Sequence, residues 1–565
     1  MTADPTPLPN SHHLSPRLPF PHPVPLPPRQ TSRETHKSPP YAPLALLPNP
    51  GPSPKEVCDV LVTNYLRTYE SIYRLLHIPS FQRAYDAVWG PEHTPDTVFV
   101  VQLKLVLAIG AATYDGMFSL RSWATKWVYE AGTWLGMPGN KGGVSLAGLQ
   151  TSILLLLAKE ATGVDEDMVW VGIGSVIRMA MCLGLHRDPT GLAIGPGPGG
   201  RESLYDVEMR RRLWNTVLEI AVQASLNSDG PPGIGLEDFN TKMPGNYNDE
   251  DLERDTAPKP ETTFTQTSLA IALRRILPER LAIAKYLNNF SSKGVYAETL
   301  RHDTELRAAS KALNQILQTY RSVPNGPSDL DLRMLDLLIR RYFPALHFPF
   351  FSSSLTDKSY AFSRKVVVES ALRFRRDIFP SPLPSSNQHD PPDDTGDLLS
   401  RSAINGETFL STVPLQSFIC ILAELQALIR ESEDERFGLS GILPSLSVET
   451  IRPDLVSFLS EFKEFAWRAI RAGATNVKGY LVGCVGVAAI DAVKRQENKE
   501  EVVVRALEEG VRKCVRWLER CVEGGYTDPA LEEDGDIDVQ EGRWDGDWEY
   551  MARWIFGELG EGFVH

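Results

Sequence analysis

From Val57 onward, apolar residues recur at steps of three and four, the period of a helix with one buried face. In VCDVLVTNYLRTYESIYRLLHIPSF, Val57, Leu61, Tyr65 (or Leu66), Tyr69, Ile72 and Leu76 share such a face, and Pro79 is expected to stop the helix. DTVFVVQLKLVLAIGAATY predicts a second, more buried helix. SLAGLQTSILLLLAKEA is apolar nearly all round and predicts a central one. The pattern returns in YAETLRHDTELRAASKALNQILQTY and LDLLIRRYFPALHFPF, then in LQSFICILAELQALI, PDLVSFLSEFKEFAWRAI and VVVRALEEGVRKCVRWLERCV. Convincing period-two strands are scarce, and there is no short-period repeat. The expectation is an all-α protein.

Breaks in this pattern divide the chain. Residues 1–54 hold 17 prolines, which cannot hydrogen-bond into helix or sheet, so a Pro-rich disordered arm is expected there. FPSPLPSSNQHDPPDDTGD reads as a linker. The expected organisation is an arm over 1–54, a helical block over 55–378, a flexible linker over 379–400 and a second helical block over 401–565.

The stretch GSVIRMAMCLGLHRDP ends in His-Arg-Asp, the tripeptide of a kinase catalytic loop. Its surroundings read differently. Asp165 is placed to cap a helix whose apolar positions are Val169, Ile173, Val176, Ile177, Ala180 and Leu183. Arg178 is one of its few polar members. Gly184 supplies the left-handed residue that ends a helix, with Leu185 folding back. His186 and Arg187 then sit at the negative end of the helix dipole, and Pro189 forbids a restart at Asp188. A kinase needs Asn five residues after the Asp, where Ala193 stands, and no Gly-rich loop or Asp-Phe-Gly is present. IGPGPGGRES is no phosphate cradle, because Pro196 and Pro198 remove backbone donors.

In EMRRRLWNTVLEI, Glu208, Arg211, Arg212 and Trp214 open another helix. Three adjacent arginines point in three directions, so they make no groove-reading basic face. They pair with carboxylates such as Asp188, Glu202 or Glu208, or one of them lines a ligand pocket. The C-terminal LEEDGDIDVQEGRWDGDWEYMARWIFGELGEGF interleaves acids with aromatics. It reads as a helix docked through Trp544, Trp548, Met551 and Trp554 (or Ile555), or as an activation segment that shows aromatics to a partner.

A net charge of −14 argues against the chain as a whole clinging to nucleic acid. The six cysteines lack zinc-finger and Cys-x-x-Cys spacings, so no metal or cofactor is expected and reduced thiols are. His77, His186 and His347 stand singly in apolar surroundings and read as structural. The apolar runs SILLLLA and YLVGCVGVAAI fall short of the roughly 20 residues that span a bilayer, and no signal peptide opens the sequence, so a soluble intracellular protein with no membrane partner is expected.

An ordered series then carries a resemblance. YRLLHIPSFQRAYDAVW is followed by LQTSILLLLAKEA, VWVGIGSVIRMAMCLGLHRDP, EMRRRLWNTVLEIAVQASLNSDGPPGIGLEDFNTKMPGNYNDEDL and RRILPERLAIAKYLNN. Over residues 57–565 the chain resembles the fungal-specific transcription factor domain, in the subgroup that usually carries paired two-Cys two-His fingers upstream. The resemblance implies a nuclear regulator of RNA polymerase II genes of a metabolic or biosynthetic set, with a helical regulatory domain and no catalysis. Residues 1–54 hold no Cys, so it maps no zinc ligand or DNA-contacting residue onto the chain. DNA is then a partner only through an upstream finger module or a partner chain, in a homodimer or with another transcription factor, and any small-molecule effector is unnamed. The alternatives are an all-α enzyme with its site among helices or a partner-binding scaffold. The residues expected to hold the central helices, with an effector pocket possible beside them, are Arg178, His186, Arg187, Asp188, Glu208, Arg211, Arg212 and Trp214.

Overall fold

A computed structural model describes residues 55–524 except 91–94, 138–143, 166–167, 191–202, 290–294, 324, 380–393, 407–408 and 438–451. The proline-rich arm, the IGPGPGG run, most of the expected linker and the aromatic tail lie outside the described residues. Among those described there is no strand.

The first half winds as α1 (Lys55–Tyr65), α2 (Ile78–Val88), α3 (Thr97–Ala111), α4 (Arg121–Gly136), α5 (Leu146–Thr162), α6 (Val169–Cys182) and α7 (Leu204–Asn227). At its centre, α3 buries every residue from Val100 to Ala111 and packs on α1, α4 and α5. Each fully buried Leu, Ile or Val of this kind contributes about 1.5–3 kcal/mol. Gly110 lets α1 approach closely, since a Cβ there would collide with the Leu61 carbonyl.

Two local expectations are corrected. Pro79 does not stop the first helix but opens α2, where its missing N–H costs nothing, behind an N-cap at His77. The first helix ends earlier: it loosens into a π-helical turn at Leu66–Glu70, and after one short turn Arg74 adopts φ 54°. Leu61, Tyr65, Tyr69, Ile72 and Leu76 are all buried despite that break. Asp165 likewise does not cap α6. It lies at φ 50° with Lys159 on its carboxylate, and Met168 takes the N-cap position without a side-chain bond.

The rest of the bundle is α8 (Ser268–Arg275), α9 (Leu277–Leu287), α10 (Tyr296–Arg321), α11 (Asp329–Arg340), α12 (Tyr342–Ser354), α13 (Ala361–Ile378), α14 (Asp394–Asn405), α15 (Phe409–Phe437), α16 (Pro453–Arg471), α17 (Lys478–Arg495) and α18 (Lys499–Gly524). From α12 each long helix packs mainly on its neighbours in sequence, ending α15–α16–α17–α18. α14 begins within the stretch expected as linker. Its Leu398, Leu399, Ala403 and Ile404 are buried, and Asn405 Nδ2 donates to the carbonyls of Ala112 and Asp115, both at 2.8 Å. These bonds tie the later helices to the loop after α3.

One finding departs from the bilayer expectation. The Val413–Glu431 stretch of α15 is long and apolar enough to cross a membrane by length and composition. Over half of it is buried, and Phe418, Cys420, Ile421 and Leu425 face the bundle as core residues.

Candidate functional site

The His-Arg-Asp tripeptide follows a helix end built from backbone bonds. Gly184 sits at φ 77°, its N–H donates to Met181 at 2.9 Å, and the Leu185 N–H reaches back to Ala180 at 3.0 Å. Leu185 is buried, which turns the chain so that Asp188 lies beside the start of α7.

That start is capped by Ser203, whose hydroxyl accepts the Asp206 N–H at 3.1 Å. Successive helix positions differ by about 100°, so the three arginines separate. Arg210 reaches the Leu183 carbonyl at the end of α6 at 3.1 Å. Arg211 grips Asp188 with two donors at 3.1 and 3.0 Å, and also bonds Glu208 at 2.8 Å and Thr190 at 2.6 Å. Arg212 points inward, 1 % exposed, to Asp249 at 2.6 Å and Thr267 at 3.1 Å.

Asp249 is the hub that sequence reasoning missed. Fully buried, it accepts from Arg74 at 2.6 Å, from Arg212 and from the Ile78 N–H at 2.7 Å. Its own carbonyl lies 3.1 Å from His77 Nε2. Arg74 is also near Glu70, which takes the Tyr65 hydroxyl at 2.8 Å and the Leu76 N–H at 2.9 Å. The π-helical turn and the left-handed Arg74 thus aim this guanidinium into the core. The only forewarning was position: Asp249 lies in the quoted PGNYNDEDL run, among several acids of equal standing.

Electrostatics follow from this pairing. Burial pushes the Asp249 carboxyl up, but Arg74 and Arg212 outweigh it and bring its pKa to about 2. Burial also raises Asp188, yet Arg211 and the N–H groups of Lys242 and Thr190 hold it well below the usual carboxylate range. Glu208 takes the Gly245 N–H at 2.7 Å beside its bond to Arg211.

The remaining expected residues fall into two groups. Trp214, 1 % exposed, packs edge-on to Phe239 at 5.7 Å and near His186 at 6.3 Å. Burial, then the Arg187 charge, lowers the His186 pKa. Arg178 and Arg187 stand apart on the surface, Arg178 bonding only its own helix at Gly174. Asp188, Glu208, Arg211, Arg212 and Trp214 therefore meet around the start of α7. Arg211 pairs with Asp188 and Glu208, Arg212 pairs with Asp249, and Trp214 packs on Phe239, which together clamp the α6–α7 junction to residues 239–249. Among the described residues no group of three His, Cys, Asp or Glu side chains could hold a metal ion.

An open concavity lies elsewhere, again unforeseen. A groove of about 550 Å³ is lined by α10, α11, the start of α12, and α13. Its apolar surface comes from Leu313, Ile339, Phe343, Val366 and Phe374, and its charges include Arg307, Lys311, Asp336, Arg340 and Arg373. The sequence pattern marked α10 and read α11 and α12 as a single helical stretch, while α13 and the spacing of all four went unread.

The comparisons with known proteins bear on these helices. The family described as the fungal specific transcription factor domain matches residues 62–325, which take in the whole clamp and α10. The chain is 32% identical over 516 residues to transcription factor opdR of Penicillium oxalicum, covering 86% of this chain and 63% of that protein. It is 31% identical over 472 residues to transcription factor lepE of Aspergillus flavus, covering 81% and 55%. It is 29% identical over 382 residues to the aspyridones cluster regulator apdR of Emericella nidulans, covering 65% and 50%. The chain thus spans between half and just under two thirds of these relatives. No solved structure matches it. The names in this set are those of transcription factors, not enzymes.

Proposed function

Because residues 62–325 match the fungal specific transcription factor domain, we propose that the chain regulates transcription of RNA polymerase II genes in the nucleus. The gene set is a metabolic or biosynthetic one, as the name of the aspyridones cluster regulator suggests for that relative. The helical body over 55–378 is the regulatory module, joined through the segment around 379–400 to a second helical block over 401–565. Asp188, Glu208, Arg211, Arg212 and Trp214 hold its central helices in register, while Arg178, His186 and Arg187 lie at its edge. DNA contact comes from a finger module or a partner chain, consistent with the chain's net charge of −14.

The observation that carries this reading is alignment through 86% of the chain to a protein named a transcription factor. The experiment is deletion of the gene followed by transcript sequencing, with the tagged chain imaged in the same strain. The expected outcome is nuclear signal and a coherent change in a small set of neighbouring biosynthetic transcripts. A chain excluded from nuclei, with an unchanged transcriptome under conditions where it is made, sinks the reading.

A further inference from the structure

We propose that the groove between α10, α11, α12 and α13 binds a small amphipathic carboxylic acid. Its volume of about 550 Å³ falls in the range of small-molecule sites, roughly 300–1,000 Å³. Such sites combine apolar surface with a few placed polar groups. Here Ile339, Phe343, Val366 and Phe374 offer the apolar body of a ligand its contact.

Charge selects the ligand's other end. The groove carries four cations, Arg307, Lys311, Arg340 and Arg373, against three acids, Asp336, Glu369 and Asp377, in a chain that is acidic as a whole. Most of these are already matched. Arg307 is held bidentate by Asp303 at 2.7 and 2.9 Å and lies 4.7 Å over Phe343. Arg340 bonds Asp336, Glu369 lies 3.8 Å from Lys365, and Asp377 lies 3.7 Å from Arg376 and 3.9 Å from Arg333. Lys311 and Arg373, carried by separate helices, have no carboxylate partner among the described residues. Ser310 adds a buried hydroxyl with no hydrogen-bond partner. Two unmatched cations and an idle hydroxyl beside an apolar patch suit a carboxylate on an apolar body. A cation meets repulsion there, and a purely apolar ligand leaves all three groups unused.

The consequence for transcription rests on the regulatory reading above, but the binding does not, so the two are tested apart. Purified full-length chain is titrated calorimetrically with octanoate and 1-naphthylacetate, each beside its uncharged amide. The acids are expected to saturate a single site, and at least one to bind about tenfold tighter than its amide, as two charge-assisted bonds would give. The double variant Lys311→Glu, Arg373→Glu should weaken the acid about tenfold with an unchanged melting curve. Lys311→Gln, Arg373→Gln serves if charge reversal fails to fold.

Equal binding of acid and amide, indifference to both double variants, or no saturable binding of either acid overturns the site. So does a synthetic peptide of residues 525–565, with its acids and aromatics, filling the groove while neither acid displaces it. A reporter unmoved by deletion of the gene, with acid binding intact, overturns the regulatory reading and leaves the site standing.

Discussion

The clamp at the start of α7 and the groove beside α10 use the same residue types to opposite ends. In the clamp, Arg74, Arg212 and Asp249 are buried together and Arg211 is closed over Asp188 and Glu208. In the groove, Lys311 and Arg373 are exposed. A buried charge is tolerated only when paired and hydrogen-bonded, so the clamp's residues answer to each other and to the fold. A solvated cation carries no such obligation and is available to a ligand. An arginine cluster in a sequence is therefore weak testimony for a binding site: here the conspicuous one is architecture.

The largest break in that contrast should come from Asp249→Ala, which strands Arg74 and Arg212 in the core. A loss of about 3–5 kcal/mol is expected, read as a fall in urea midpoint. Asp249→Asn, which keeps the acceptor for the Ile78 N–H, should cost less. The pH dependence of the same site has a definite sign. The folded Asp249 carboxyl sits near 2, below its ordinary 3.8, so its contribution is whole above about pH 4 and disappears as pH falls from there toward 2. Asp249→Asn should flatten that limb of the stability profile.

Next comes Gly110→Ala, where a Cβ meets the Leu61 carbonyl and α1 must shift off α3. About 1–3 kcal/mol is expected by thermal unfolding, with no change in the acid limb. Asp188→Asn should cost about 1 kcal/mol, since Asp188 and Arg211 keep some contact with solvent and water can replace part of the pair. The smallest effect belongs to the groove: Lys311→Glu and Arg373→Glu should each stay within about 0.5 kcal/mol of the parent chain. If Asp249→Ala proves no more costly than Arg373→Glu, the distinction between a locked region and an open one is lost.

What the sequence determined by itself was local. Three-and-four spacing marked the helices, and Gly184 with Leu185 marked the end of α6, because periodicity and caps involve groups only a few residues apart. The same logic separated Arg210, Arg211 and Arg212 around α7. It faltered where a local signal had two uses: Pro79 can end one helix or open the next, and only the left-handed Arg74, drawn inward by buried acids, decided between them. Tertiary structure alone chose Asp249 from among neighbouring acids, since its partner Arg74 lies 175 residues away. It also made the groove, whose charges come from helices that look unremarkable one at a time. Whether a charge is buried and matched or left to solvent depends on which helices meet, and that is a property of the packed bundle.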